Sequence, residues 1–129
     1  MNLVDTDVLI AHLRGVAVAT AWLTEQRTST GPLAVSVVSI AELTGGMRSV
    51  ERRAVWGLIS ALRTVGVDEM VARRAGEFMR HYRASHSGIG LGDYLIAASA
   101  DLHGLALATL NTKHFPMFAR LRAPFRLSR

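Results

Sequence analysis

Short apolar blocks and helix-period stripes alternate along the chain. Leu3-Val4 starts a short strand that ends at Asp5, and a helix runs from Asp7 through Leu13, stopped near Gly15. Val16 to Gln26 carries Ala19, Trp22 and Leu23 at helical spacing. Thr28-Ser29-Thr30-Gly31-Pro32 is a turn cluster. Leu33 to Val37 is a buried strand, after which Ser39 caps a helix running to about Arg48. Glu51 to Leu62 is amphipathic, with Val55, Leu58, Ile59 and Leu62 on one face. Val65-Gly66-Val67 is a third strand, and Asp68 caps a longer helix whose apolar stripe is Val71, Ala75, Phe78, Met79 and Tyr82. A Gly-containing stretch, Ser85 to Gly92, leads into a nearly all-apolar helix from Asp93 to His103. Leu105 to Ala108 is a buried strand, a helical turn follows Asn111, and Ala123-Pro124-Phe125-Arg126 adds an edge strand.

Strand and helix therefore alternate, and the strands are short and apolar without a period-two pattern. Such strands are covered on both faces. The expectation is a three-layer α/β/α sandwich with a mainly parallel sheet. No repeat, low-complexity tract or linker divides the chain, and 129 residues suit one domain. In an open sheet of this kind, sites lie beyond the carboxyl ends of the strands.

Composition narrows the class. Half the residues are hydrophobic, which argues against disorder, and the absence of Cys removes disulfides and Cys-ligated zinc. No basic segment followed by an apolar run marks a signal peptide, and no apolar run approaches the roughly 20 residues that span a bilayer. The expected location is the cytoplasm, without membrane association. The net charge of +5 is carried almost wholly by Arg, with Lys113 the only lysine. Arg pairs with phosphate through a planar fork, so the basic body is compatible with nucleic acid.

Against that basic background stand 10 Asp and Glu residues, and three of them, Asp5, Glu42 and Asp93, sit in apolar sequence. Each falls where a strand meets a helix, as does Asn111. Each has a structural explanation when taken singly. Asp7 and Asp93 could cap helices, Ser39-Ile40-Ala41-Glu42 matches a capping box, and Asn111 is a common turn residue. Asp5 is the exception, because an acid ending an apolar strand does nothing for the strand. Taken together they place several carboxylates at one sheet edge. Buried carboxylates call for a cation, and oxygen ligands of this kind suit Mg²⁺ or Mn²⁺. Such an ion can polarise a phosphoryl oxygen, lower the pKa of water and stabilise a departing oxygen.

Four pieces, in this order, resemble the PIN-domain family and most closely its VapC-type toxins: Val4-Asp5-Thr6-Asp7-Val8-Leu9, Val35 through Leu43, Leu91-Gly92-Asp93-Tyr94-Leu95-Ile96-Ala97-Ala98, and Ala108 through Phe115. The resemblance implies a single PIN domain over residues 1–129 with about five parallel strands. It implies a Mg²⁺- or Mn²⁺-dependent endoribonuclease toxin that blocks translation by cutting RNA, with tRNA or ribosomal RNA the expected substrate. By position, Asp5 and Asp93 are the principal metal ligands. Glu42 completes the acidic cluster and orients or deprotonates the attacking water. Thr6, Asp7 and Thr109 support the site. Asn111 stands where many members carry a fourth Asp, which weakens any second metal site, and Asp7 could partly restore the charge. The expected partners are RNA, a small cognate antitoxin and a second copy in a homodimer.

Two other readings compete. Asp5-Thr6-Asp7 suits a haloacid-dehalogenase-type phosphotransferase, but that needs a later Lys and an acidic pair, and nothing acidic follows Lys113. With Asn111 in the fourth position, the chain could instead be a non-catalytic module that binds RNA or an antitoxin. His12, His81, His86, His103 and His114 show no i, i+4 pairing of the kind that holds a metal, and His114 reads as part of a turn. Asp101 lies two turns beyond Asp93, about 12 Å along the helix axis, too far to share its ion.

Overall fold

The structure is a computed structural model that describes residues 1–127. Strands β1 (Asn2–Val4), β2 (Ala34–Ser36), β3 (Arg63–Val65) and β4 (Ala106–Ala108) form one sheet in the order β3-β2-β1-β4. All three pairings are parallel, with Leu3 opposite Ala34 and Leu107, and Val35 opposite Thr64. Six helices connect or flank them: α1 (Thr6–Leu13), α2 (Ala17–Thr30), α3 (Val37–Gly46), α4 (Arg52–Ser60), α5 (Glu69–Tyr82) and α6 (Leu91–Leu102).

Alternation along the strands divides the core. Val4 and Val35 face one layer, where Val8, Leu9, Leu23, Leu43, Val55 and Ile59 of α1 to α4 meet them. Leu3, Ala34 and Leu107 face the other, where Ile96, Ala97 and Ala100 of α6 and the ring of Phe115 close over the sheet. Helix α5 lies against α6 through Val71, Ala75, Tyr94 and Ala98. The α/β/α sandwich is therefore as expected. Among the described residues no single helix is long and apolar enough to cross a membrane.

The sheet has four strands rather than five. Ala123 to Arg126 pairs with no strand. Pro124 has no N–H to give a ladder, and the Phe125 ring packs instead on Trp22, with centroids 6.3 Å apart. Strand β3 also falls two residues earlier than the apolar pattern suggests. Its place is decided by pairing with β2, although Arg63 and Thr64 are exposed at the sheet edge. Helix α2 runs on to Thr30, past the apolar stripe, and Thr24, Thr28 and Thr30 satisfy their hydroxyls there on carbonyls one turn earlier. Gly31, at φ +86°, makes the stop.

The connectivity creates the crevice that matters. From β1 the chain moves through β2 to β3 on one side, then returns through α5 and α6 to lay β4 on the other side of β1. The direction of winding reverses between β1 and β4, and ligand sites in open parallel sheets collect at such a reversal. The Asp5 N–H donates to the Ala108 carbonyl at 2.9 Å, so the two strand ends are locked together there.

Candidate active site

Asp5 is the first residue past β1 and is 6% exposed. Its Oδ1 accepts from the Thr6 N–H at 2.8 Å, so it also caps α1, a structural duty the sequence did not suggest. Its Oδ2 accepts from the fully buried Thr109 hydroxyl at 2.7 Å. Thr109 has one hydrogen to give, and the 3.3 Å separation from Asp7 Oδ2 makes Asp5 its acceptor. The same Thr109 oxygen accepts from the Asn111 N–H at 3.1 Å. Asp7 does not cap α1. Its Oδ2 accepts from the Leu110 N–H at 3.0 Å and holds the loop after β4, while its buried Oδ1 has no hydrogen-bond partner.

Burial, the Asp7 charge and, more weakly, the Asp93 charge push the Asp5 carboxyl up to about 6, against the pull of Thr109 and the Thr6 N–H. Burial also raises Asp7, opposed by the N–H groups of Leu110, Val8 and Asn111 and by the Thr109 hydroxyl. Among the described residues no Lys or Arg nitrogen lies within 4.0 Å of Asp5, Asp7, Glu42 or Asp93.

Glu42 reaches the same place from α3. That helix is capped by Ser36, whose oxygen accepts from the Val38 N–H, so it starts at Val37, earlier than expected. Ser39 is thus a buried first-turn residue rather than the cap and forms no capping box with Glu42. The Thr6 hydroxyl donates to Glu42 Oε1 at 2.7 Å. Ser39 Oγ lies 2.9 Å from the same Thr6 oxygen. With the Thr6 hydrogen given to a carboxylate, Ser39 is the donor to Thr6. A Cβ placed on Gly92 would stand 3.7 Å from Glu42 Oε2 and 3.3 Å from Val38 Cγ1. The glycine therefore lets the start of α6 close against α3.

Asp93 is the third residue of α6, not its cap; Gly90 holds that position without a side-chain bond. Its Oδ2 lies 2.8 Å from His114 Nδ1. His114 ends the 3-10 turn Thr112–His114, which the buried Phe115 anchors in the core. Asp101 is engaged elsewhere, with Arg74 at 2.7 Å.

The PIN-domain sequence profile matches residues 3–122. Ribonuclease VapC10 of Mycobacterium tuberculosis is 62% identical over 125 residues, 97% of this chain and 93% of that protein. The chain belongs to the PIN-domain family. Ribonuclease VapC19 of the same organism is 40% identical over 97% of this chain and 100% of its own length. A chain of a toxin-antitoxin complex from Klebsiella pneumoniae superposes with a TM-score of 0.77 at 25% identity, over 97% of this chain and 98% of its own. Membership sets aside the phosphotransferase alternative.

In this PIN domain Asp5, Thr6, Thr109, Glu42 and Asp93 collect at one end of the sheet, while Asn111 is exposed and bonds into the site through its backbone N–H. Among the described residues no three His, Asp or Glu side chains stand close enough together to hold one ion. Mg²⁺ does not require three. It commonly takes one or two carboxylates and keeps several waters, at about 2.0–2.1 Å. The donor set fits it. The donors are hard oxygens, Asp5 is buried without a cationic partner, and Asp93 Oδ1 and Glu42 Oε2 are not held by the protein bonds that engage Oδ2 and Oε1. His114, Ser39 and the close approach at Gly92 were not picked out from sequence. His114 stands three residues after Asn111 in an already suspect segment, but only the packing of that turn on α6 pairs it with Asp93.

Proposed function

We propose that this PIN domain is a Mg²⁺- or Mn²⁺-dependent endoribonuclease, the toxin of a toxin–antitoxin pair, acting in the cytoplasm on tRNA or ribosomal RNA to block translation. The observation that carries the proposal is Asp5, a buried carboxyl raised to about 6, facing Asp7 and Asp93 with no Lys or Arg beside it among the described residues, at the reversal of the sheet. The identity of 62% to a protein named as a ribonuclease supports the activity, and the resemblance to a chain from a toxin-antitoxin complex supports the partner.

Asp5 and Asp93 hold the ion, with Glu42 completing the acidic cluster. When bound, the ion supplies Lewis-acid polarisation of the scissile phosphate and makes water more acidic. Thr109 and the Thr6 N–H fix the Asp5 carboxylate. Thr6, backed by Ser39, fixes Glu42 Oε1 and leaves Oε2 to accept a proton from the attacking water. Asp7 holds the loop that carries Thr109. Asn111 brings no charge, which favours one firmly bound ion over two. A small antitoxin covers the acidic end, and a second copy completes a homodimer.

The test is cleavage of total cellular RNA by purified, antitoxin-free chain with Mg²⁺ or Mn²⁺, beside Asp5→Asn and beside EDTA. Discrete fragments that vanish in both controls are expected, and their mapped ends identify the target. Fragments that persist in EDTA or with Asp5→Asn refute the metal-dependent mechanism.

A further inference from the structure

We infer that His114 is a positioning residue for Asp93: its Nδ1–H ties down Oδ2 and thereby presents Oδ1 to the divalent ion. The inference rests on the role of Asp93 as a metal ligand proposed above. The bond is 2.8 Å and joins elements 21 residues apart in the chain, so it exists only because the turn after β4 packs beside the first turn of α6. An ionised carboxylate can only accept, so the shared hydrogen belongs to Nδ1.

Both partners are unevenly constrained, which is what makes the bond matter. Asp93 sits in the first turn of α6 with its side chain 27% exposed, and His114 is its one cationic or imidazole partner among the described residues. Its carboxylate would otherwise rotate freely about its terminal bond. His114 is better anchored. The His114 N–H donates to the Asn111 carbonyl at 3.1 Å, the Phe115 N–H to the Thr112 carbonyl at 3.1 Å, and the Phe115 ring is 1% exposed against β1 and α6. The imidazole is thus carried on a rigid turn, and the turn begins at the loop that Asp7 and Thr109 tie to Asp5. One short segment, Thr109 to His114, therefore orients both Asp5 and Asp93 from the same side. Groups that orient a metal-binding carboxylate commonly change metal affinity about 10- to 100-fold when removed.

The experiment is calorimetric titration of the purified full chain with MnCl₂, for wild type, His114→Ala, His114→Asn, His114→Gln and Asp93→Asn. Each is also melted in EDTA to confirm the fold. Asn carries its amide nitrogen at the distance from Cα where His carries Nδ1, whereas Gln carries it one bond further out. His114→Ala is expected to bind Mn²⁺ at least about tenfold more weakly, His114→Asn to recover most of the affinity, and His114→Gln to resemble Ala. A role confined to stability would lower the melting temperature in EDTA without this donor-specific recovery. His114→Ala binding as tightly as wild type or more tightly, or His114→Asn binding no better than Ala, overturns the inference alone. Wild type failing to bind Mn²⁺, or Asp93→Asn binding as well as wild type, overturns the ligand role of Asp93 and the inference with it.

Discussion

Asp5→Asn is expected to make the metal-free protein more stable while abolishing cleavage. The folded protein keeps the Asp5 proton up to about pH 6, and the unfolded chain loses it near 3.8. Between those values the folded state binds more protons than the unfolded one, so stability falls as pH rises through the window, and the whole deficit is present above pH 6. The difference corresponds to about 3 kcal/mol as an upper figure. Burial at 6% exposure leaves little solvent screening to reduce it. Asparagine removes the charge and still fits the bonds. Its oxygen can accept from the Thr6 N–H, and its NH₂ can donate to Thr109, whose hydrogen then turns to Asp7 Oδ2 at 3.3 Å. That longer bond is weaker, so a net gain of about 2 kcal/mol is expected at pH 7.5 after a loss of about 1 kcal/mol. For a chain of this length the gain corresponds to about 6 °C in Tm. The assay is thermal and urea unfolding in EDTA at several values from pH 4 to 8. The gain should be largest above pH 6 and fade towards pH 4. A variant that melts at or below wild type at pH 7.5, or a gain that does not change with pH, would refute the picture of Asp5 as a strained, buried charge.

Adding Mn²⁺ should reverse that ranking, because a ligand that binds only the folded state at 100 times its Kd adds about 2.7 kcal/mol; the wild-type Tm should rise and that of Asp5→Asn should not. Thr109→Val keeps the shape but leaves Asp5 Oδ2 and the Asn111 N–H without their partner, so a loss of about 1–3 kcal/mol in urea unfolding and weaker cleavage are expected. Gly92→Ala gains helix propensity of up to about 1 kcal/mol but sets a Cβ 3.3 Å from Val38 and 3.7 Å from Glu42. The 3.7 Å approach to Glu42 is an ordinary contact and only Val38 must give by a few tenths of an ångström, so Tm and cleavage should both stay near wild type; a marked loss of either would show that α3 and α6 cannot shift apart at Val38. Asn111→Asp adds a charge at an exposed position, so stability should change by less than about 0.5 kcal/mol, and calorimetry should show whether a second Mn²⁺ then binds.

Much of this architecture is legible in local pattern. Leu3-Val4, Leu33 to Val37 and Leu105 to Ala108 carry apolar runs that only a sheet covered on both faces can bury, and the α5 stripe and its Asp68 cap are where periodicity puts them. The errors arise where a partner decides. The apolar pattern puts the third strand at Val65 to Val67 and passes over Arg63 and Thr64, because an edge strand needs no apolar side chains, only a neighbour with free carbonyls and N–H groups. Ala123 to Arg126 reads as a strand, yet Pro124 has no N–H to give a ladder and Phe125 packs on Trp22 and the core beside it. Ser39 looks like a cap because the true cap, Ser36, closes the preceding strand.

By itself the sequence determined the strand–helix alternation, the parallel class of the sheet and the four polar segments at strand ends, because these follow from residue type and spacing. Only the tertiary structure decided which oxygens do what. Thr6 serves Glu42, Thr109 serves Asp5, and His114 serves Asp93 across 36, 104 and 21 residues of chain respectively. No local rule spans such separations. They are set by the return of the chain that lays β4 beside β1, and by the closeness of α3 and α6 that a glycine at position 92 permits.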